Sequence, residues 1–271
     1  MTSTQRVIKY CALAFAFAII ANIILAILFG IGQLSSVLGL TEDKDLKNME
    51  VIKTTTNNIT SLEIDLNTVG LEIKPGNTFS VETNSKKVKV QEKDAKLNIK
   101  EKSHTWHTPA EQGKVKITIP KDSAFIDVKI ETGAGKIVIE KLSTDTLDLD
   151  IGAGKVDIKN LLVTNETEID GGAGKVDIKA STINNLDLDM GVGKCTLTTV
   201  LTGANQIDAG VGALDIKLLD TKDNYNIQLE KGIGSITLNG EEVKENTVYG
   251  NGTTGLRVKG GIGAVKVKTT N

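Results

Sequence analysis

Both histidines of the chain, His104 and His107, flank its single tryptophan, Trp106. Imidazole nitrogens ligate metals, and a ring of this kind contacts ligands. A structural or catalytic metal set needs three or four donors. Within the loop around the histidines Glu111 could add one. The alternation of apolar and polar residues stops between Lys100 and Lys114, so the stretch reads as a solvated loop with one anchoring ring. His104 and His107 are therefore weak metal candidates and Trp106 a ligand-contact candidate. No cofactor is expected.

A second group with chemical potential is the recurrent glycine–lysine unit. It stands at Gly133-Ala134-Gly135-Lys136, Gly152-Ala153-Gly154-Lys155, Gly172-Ala173-Gly174-Lys175 and Gly191-Val192-Gly193-Lys194. It returns without lysine at Gly210-Val211-Gly212, Gly232-Ile233-Gly234 and Gly261-Ile262-Gly263. A phosphate loop needs a longer spacer before Gly-Lys-Ser/Thr and a helix after it; these units open into alternating, strand-like sequence. The segment Gly171-Gly172-Ala173-Gly174-Lys175-Val176-Asp177 approaches a calcium-binding nonapeptide, but Val176 stands where that pattern needs Asp. Polysaccharide cleavage requires paired carboxylates or basic groups in a groove. Here the acids recur in register and none stands out, and there is no nucleophile–base arrangement. Cys195 falls on an inward position of the alternation and reads as a small core residue. A non-enzyme is expected.

The elements that carry these glycines are repeats. The first glycines step by 19, 20, 19, 19, 22 and 29 residues, and a fixed period of this size signals stacked units. Three residues before each first glycine lie Ile130, Leu149, Ile169, Leu188, Ile207, Leu229 and Val258. Four after it lie Ile137, Val156, Val176, Cys195, Leu214, Ile236 and Val265. Six after it lie Ile139, Ile158, Ile178, Leu197, Ile216, Leu238 and Val267. Alternation around a Gly-x-Gly bend means strand, corner, strand. One such unit cannot bury its apolar face alone, so neighbours stack. The expected fold is all-β: a single-stranded-rung β-solenoid of about 20 residues per repeat. Its strands run parallel between rungs, and right-handed crossovers are the rule. The Gly-x-Gly units are its structural corners.

Outward positions form charge columns. Glu131, Asp150, Asp170, Asp189, Asp208 and Glu230 lie two residues before the glycines; Lys136, Lys155, Lys175 and Lys194 lie three after. The expectation is mutual neutralisation across the corner, with cation binding by the acidic column as the sharper alternative.

Residues 1–9 carry Arg6 and Lys9, residues 10–32 carry no charge, and Glu42, Asp43 and Asp45 follow. The uncharged run would extend about 34 Å as a helix, enough for a hydrocarbon core of roughly 30 Å. Residues 10–32 are thus expected to be a transmembrane helix, with a cytoplasmic N-terminus and an extracellular C-terminal domain by the positive-inside rule. Residues 33–50 read as a linker, 51–124 as a leading β segment that caps the solenoid, and 125–271 as the repeats. The stretch 239–255 reads as a surface excursion with Tyr249 at its tip. The last rung, containing Lys266 and Lys268, is expected at the open end of the rod, where its lysines discourage edge pairing and favour a monomer. A net charge of −2 without a basic stripe argues against nucleic acid.

One apolar span, an irregular β segment, the element Lys116-Ile117-Thr118-Ile119-Pro120 and Gly-x-Gly repeats together resemble the bacterial toast-rack domain, a family that carries an adhesin label. The resemblance covers roughly residues 51–271. It implies a β-solenoid in the cell envelope and no agreed catalytic residues. The expected role is a membrane-anchored surface scaffold or binding module whose partner is an envelope polymer or a membrane protein. Alternatives are a component of an envelope-stress system and a carbohydrate-active enzyme.

Overall fold

A computed structural model describes residues 48–55, 58–102, 113–244 and 247–270. The expected span at 10–32 and the candidates His104, Trp106 and His107 lie outside the described residues. Among the described residues no helix is long and apolar enough to cross a membrane.

Seventeen strands belong to one sheet system. The leading segment supplies β1 (Glu50–Thr55), β2 (Ser61–Leu66), β3 (Gly70–Gly76), β4 (Phe79–Thr83), β5 (Val88–Lys93), β6 (Lys96–Glu101) and β7 (Lys114–Pro120). The repeats supply β8 (Phe125–Ile139), β9 (Leu142–Lys159), β10 (Leu161–Asn184), β11 (Leu186–Thr202) and β12 (Ala204–Thr221). After a 3-10 turn at Lys222–Asn224 come β13 (Tyr225–Glu230), β14 (Ile233–Leu238), β15 (Glu241–Glu242), β16 (Val248–Tyr249) and β17 (Thr254–Thr270).

The alternating pattern produces long strands that bend through their glycines and pair in parallel. Each repeat lies on the next with like residues opposed: Ala134 on Ala153, Gly135 on Gly154, Lys136 on Lys155. One inward column runs Ile99, Ile64, Ile130, Leu149, Ile169, Leu188, Ile207, Val258, Leu229. Every member is buried, as are all the inward residues that the repeat pattern identifies. Fully burying one aliphatic side chain is worth about 1.5–3 kcal/mol, so this column and its two companions are the main source of cohesion between rungs.

Both glycines of a corner are needed, for different reasons. Gly174 has φ +141°, and a Cβ there would overlap the carbonyl oxygen of Gly154. Gly172 needs no unusual φ, but a Cβ would overlap the Gly152 carbonyl. The rungs stack so closely here that only a residue without a side chain fits. In the rung made of β2 and β3 the glycines are missing, and Glu101 replaces them. Its buried carboxylate accepts the backbone N–H groups of Asn67, Thr68 and Val69 at 2.8, 2.8 and 3.1 Å, and the Thr68 hydroxyl at 2.9 Å. A buried carboxylate is tolerated when its lone pairs are filled in this way.

Stacking order departs from chain order at both ends. β2 and β3 lie between β8 and the rung of β6 and β7. At the other end β17 is inserted between β12 on one side and β13 with β14 on the other. The expectation that the rung of Lys266 and Lys268 stands open at the end of the rod is therefore corrected: its backbone is paired on both edges. The stretch 239–255 is likewise more than a surface excursion. β15 and β16 run antiparallel on β14 and β13 and cover part of the outer edge, with Tyr249 packed against the core. β4 and β5 play the same part on β7 and β6.

Candidate functional site

Period-two alternation sends every second residue of a strand outward, and in-register stacking turns those residues into columns. On the side before the glycine corner, Glu131, Asp150, Asp170, Asp189 and Asp208 form one column. Two residues earlier, Lys129, Asp148, Glu168, Asp187 and Gln206 form another. Neighbouring rungs are about 4.8 Å apart. Like charges at that spacing repel by somewhat under about 1 kcal/mol per pair in water, and by more beside a low-dielectric core.

Among the described residues, cations stand only at the margins of this face. Lys129 bonds Asp148 at 2.7 Å and Glu131 at 3.0 Å, and these two carboxylates raise its pKa. At the other margin Lys259 of β17 lies 3.1 Å from Asp208, and Arg257 lies 2.6 Å from Glu230. Beyond Lys129, Lys96 and Lys100 hold Glu63 at 2.6 and 2.9 Å and bring its pKa down to about 2. Between the margins Asp150, Glu168, Asp170, Asp187 and Asp189 have no cationic partner among the described residues. The field of this ladder is visible in two groups. Asp148 above all, then burial and the nearby acids, raises the pKa of Glu168. Burial, then Asp208, Asp187 and Asp170, raises that of Asp189.

An open groove of about 670 Å³ follows the first column across five rungs. It is lined by Asp150, Asp170, Asp189 and Asp208, by Lys259 on the fifth rung, by Ile151, Met190 and Ala209, and by the first glycines of the corners. Beside it runs the middle residue of each corner, in the order Ala134, Ala153, Ala173, Val192, Val211, Ile262, Ile233. This ridge ends in exposed isoleucines, Ile262 at 49 % and Ile233 at 70 % exposure. The site is thus a strip of carboxylates beside an apolar ridge.

The family model described as Toastrack DUF4097 matches residues 59–258. The chain belongs to this family. No curated protein matches the Toastrack chain. Its structure is similar to that of a "putative cell adhesion protein" from Clostridium sporogenes, at 18 % identity and a TM-score of 0.34 over 82 % of this chain and 99 % of that one. It is also similar to a "putative adhesin" from Bacteroides fragilis, at 15 % identity and a TM-score of 0.35 over 82 % of this chain and 97 % of that one.

In this Toastrack chain the lysine column does not cross the corner to the acids. Lys155 and Lys175 turn to Asp157 and Asp177 of their own strands at 3.4 and 3.9 Å, and Lys194 to Asp215 of the next at 2.9 Å. The expected neutralisation across the corner is replaced by pairing within the later face, which is why the earlier face keeps its charge. Asp177 bonds Lys179 through one oxygen at 2.7 Å; its other oxygen is buried without a partner. Cys195 is buried, and burial followed by Asp177 and Asp215 pushes its thiol up to about 12. Among the described residues no group of His, Cys, Asp and Glu is placed to hold a metal. The glycines named from sequence stand at the corners, and of them Gly152, Gly172, Gly191, Gly210 and Gly261 border the groove. The column of Asp148, Glu168 and Asp187 escaped the sequence reading, although the alternation Asp148-Leu149-Asp150, repeated at 168–170 and 187–189, carries it.

Proposed function

We propose that this Toastrack chain is a non-catalytic, membrane-anchored binding module of the cell envelope, and that it engages amine-bearing polymers along its carboxylate face. The observation that carries the reading is the run of acids on the central rungs, Asp150, Glu168, Asp170, Asp187 and Asp189, without cationic partners among the described residues. A surface that is open and repetitive suits a repetitive ligand, with charge supplying on-rate and orientation and the ridge of Val192, Val211 and Ile262 supplying apolar contact. Acid–base catalysis separates the pKa values of two neighbouring groups. Here the acids repeat from rung to rung, and no two of them stand apart as an acid and a base, which favours binding over turnover. The anchor is the uncharged run at 10–32.

The test uses the full chain in detergent and two matched probes, a glucosamine oligomer and its N-acetylated counterpart. Binding to the amine form, weakened by salt and by the triple substitution Asp170→Asn, Asp187→Asn and Asp189→Asn, is expected. Equal retention of both oligomers would remove the electrostatic reading. Shortened products from either would establish the carbohydrate-active alternative.

A further inference from the structure

From β8 to β12, strands that follow one another in the chain are neighbours in the stack. Then β13 and β14 bypass the rung beside β12, and β17 returns to fill it. We propose that this slot is a strand-binding site whose ligand is the β17 strand of a second copy of the chain, taken in exchange for the chain's own.

The slot selects its strand in three ways. Charge is the first. If β13 stacked directly on β12, Glu230 would adjoin Asp208 in one column. The inserted strand separates them with Lys259, which bonds Asp208, while Arg257 bonds Glu230. Like-charge repulsion thus opposes closing the slot, and only a basic strand relieves both walls. Backbone approach is the second. A Cβ on Gly261 would overlap carbonyl oxygens of β12, and a Cβ on Gly232 would overlap those of Gly260 and Gly261. The β12 wall therefore demands glycine at the corner of the inserted strand, at Gly263 as well, whose Cβ would overlap the Gly212 carbonyl, and the other wall meets that strand with a glycine of its own. The third is pairing and burial: Val258, Val265 and Val267 complete the inward columns, and the Asn205 side chain donates to the Gly255 carbonyl at 2.9 Å.

Only residues 250–253 join β16 to β17. This hinge is tightly packed: the Gly252 N–H donates to the Tyr225 carbonyl at 3.0 Å, and a Cβ on Gly252 would overlap Asn224. It is the shortness of the connection that favours exchange of an identical element between copies, while the packing of Gly252 is what must open for the strand to leave. Every contact of β17 is the same whether the strand comes from its own chain or another. The balance is then set by effective concentration, which for a short tether is in the mM range. Dilute chains stay closed; crowded chains, or chains whose hinge cannot reach, exchange.

The experiment uses the full chain in detergent with Cys11→Ser, leaving Cys195 buried and unreactive. Asp215 and Lys266 are opposed across β12 and β17, at a rung spacing that a disulfide tolerates. The double variant Asp215→Cys, Lys266→Cys should crosslink within one chain at low concentration. The two single variants, mixed at high concentration and oxidised, should give a disulfide-linked heterodimer that neither forms alone. Removing residues 250–253 should shift the sedimenting species from monomer to dimer. A mixture without heterodimer, although the double variant crosslinks within its chain, would overturn the proposal. A loop-deleted chain that remains monomeric would do the same.

Discussion

Gly174 shows how much one residue carries in a stacked fold. Its φ of +141° disfavours any side chain, and the rung beneath leaves no room for one. Gly174→Ala is expected to cost about 3 kcal/mol or more, from backbone strain plus overlap. Gly240 also has positive φ, +90°, but nothing lies near its missing Cβ, so Gly240→Ala should cost only about 1–2 kcal/mol. Chemical denaturation of both variants checks this, and equal losses would mean that close approach at the corner is unimportant. The carboxylates make a second residue-scale prediction. Glu168 and Asp189 have raised folded-state pKa values. Between the ordinary carboxylate value and the raised one the folded chain binds more protons than the unfolded chain, so stability falls as pH rises through that window. Glu63 acts oppositely: lowered from 4.5 to about 2, it contributes stability above 4.5 that is lost as pH falls toward 2. The melting temperature should therefore peak on the mildly acidic side. Glu168→Gln with Asp189→Asn should raise it at neutral pH by about 2 °C and flatten the fall between mildly acidic and neutral pH. A lowered neutral-pH melting temperature in that variant would contradict the repulsion described for the ladder.

At the scale of elements, β17 is the keystone of the far end of the stack. β13 and β14 have no other parallel partner among the described strands; their remaining pairings are the two-residue β16 and β15. Stability in stacked repeats is a sum over neighbours, so removing one interior rung uncouples everything beyond it. A chain ending at Thr253 should lose amide-exchange protection throughout β13–β16 while β9–β11 stay protected. Retained protection in β13 and β14 would mean that they can dock directly on β12, against the charge argument from Asp208 and Glu230. The opposite end is built with more insurance, since β4 and β5 extend along β7 and β6 for four and six paired positions.

For the whole molecule, the charge asymmetry is what a partner meets first. The earlier face of the central rungs is acidic without relief, while the later face carries lysines paired to Asp157, Asp177 and Asp215. The proposed binding role requires that this face be displayed outside the cell, which is the orientation expected from the charge bias of residues 1–45. A tag at Asn271 should be reachable on intact cells, and added protease should reach the chain after Thr41. A tag accessible only after lysis would reverse the orientation and with it the envelope role.

What the sequence by itself determined is the rung: its period, its glycine corners and its inward columns. Stacking converts a position in the repeat directly into a neighbour in space, so Ile130, Leu149, Ile169 and Leu188 could be placed together without coordinates. The acidic column of Asp150, Asp170, Asp189 and Asp208 was legible for the same reason. The order of rungs at the ends was not. β12, β13–β14 and β17 all carry the same pattern, so periodicity is indifferent to which lies on which. Only the tertiary structure decides, through pairwise terms that a period does not contain: Lys259 between Asp208 and Glu230, and the antiparallel caps that close the outer edges. The partners of the lysines were hidden likewise. Whether Lys194 reaches across the corner or along its own face to Asp215 depends on side-chain reach in three dimensions, and that choice leaves one face of the rod charged.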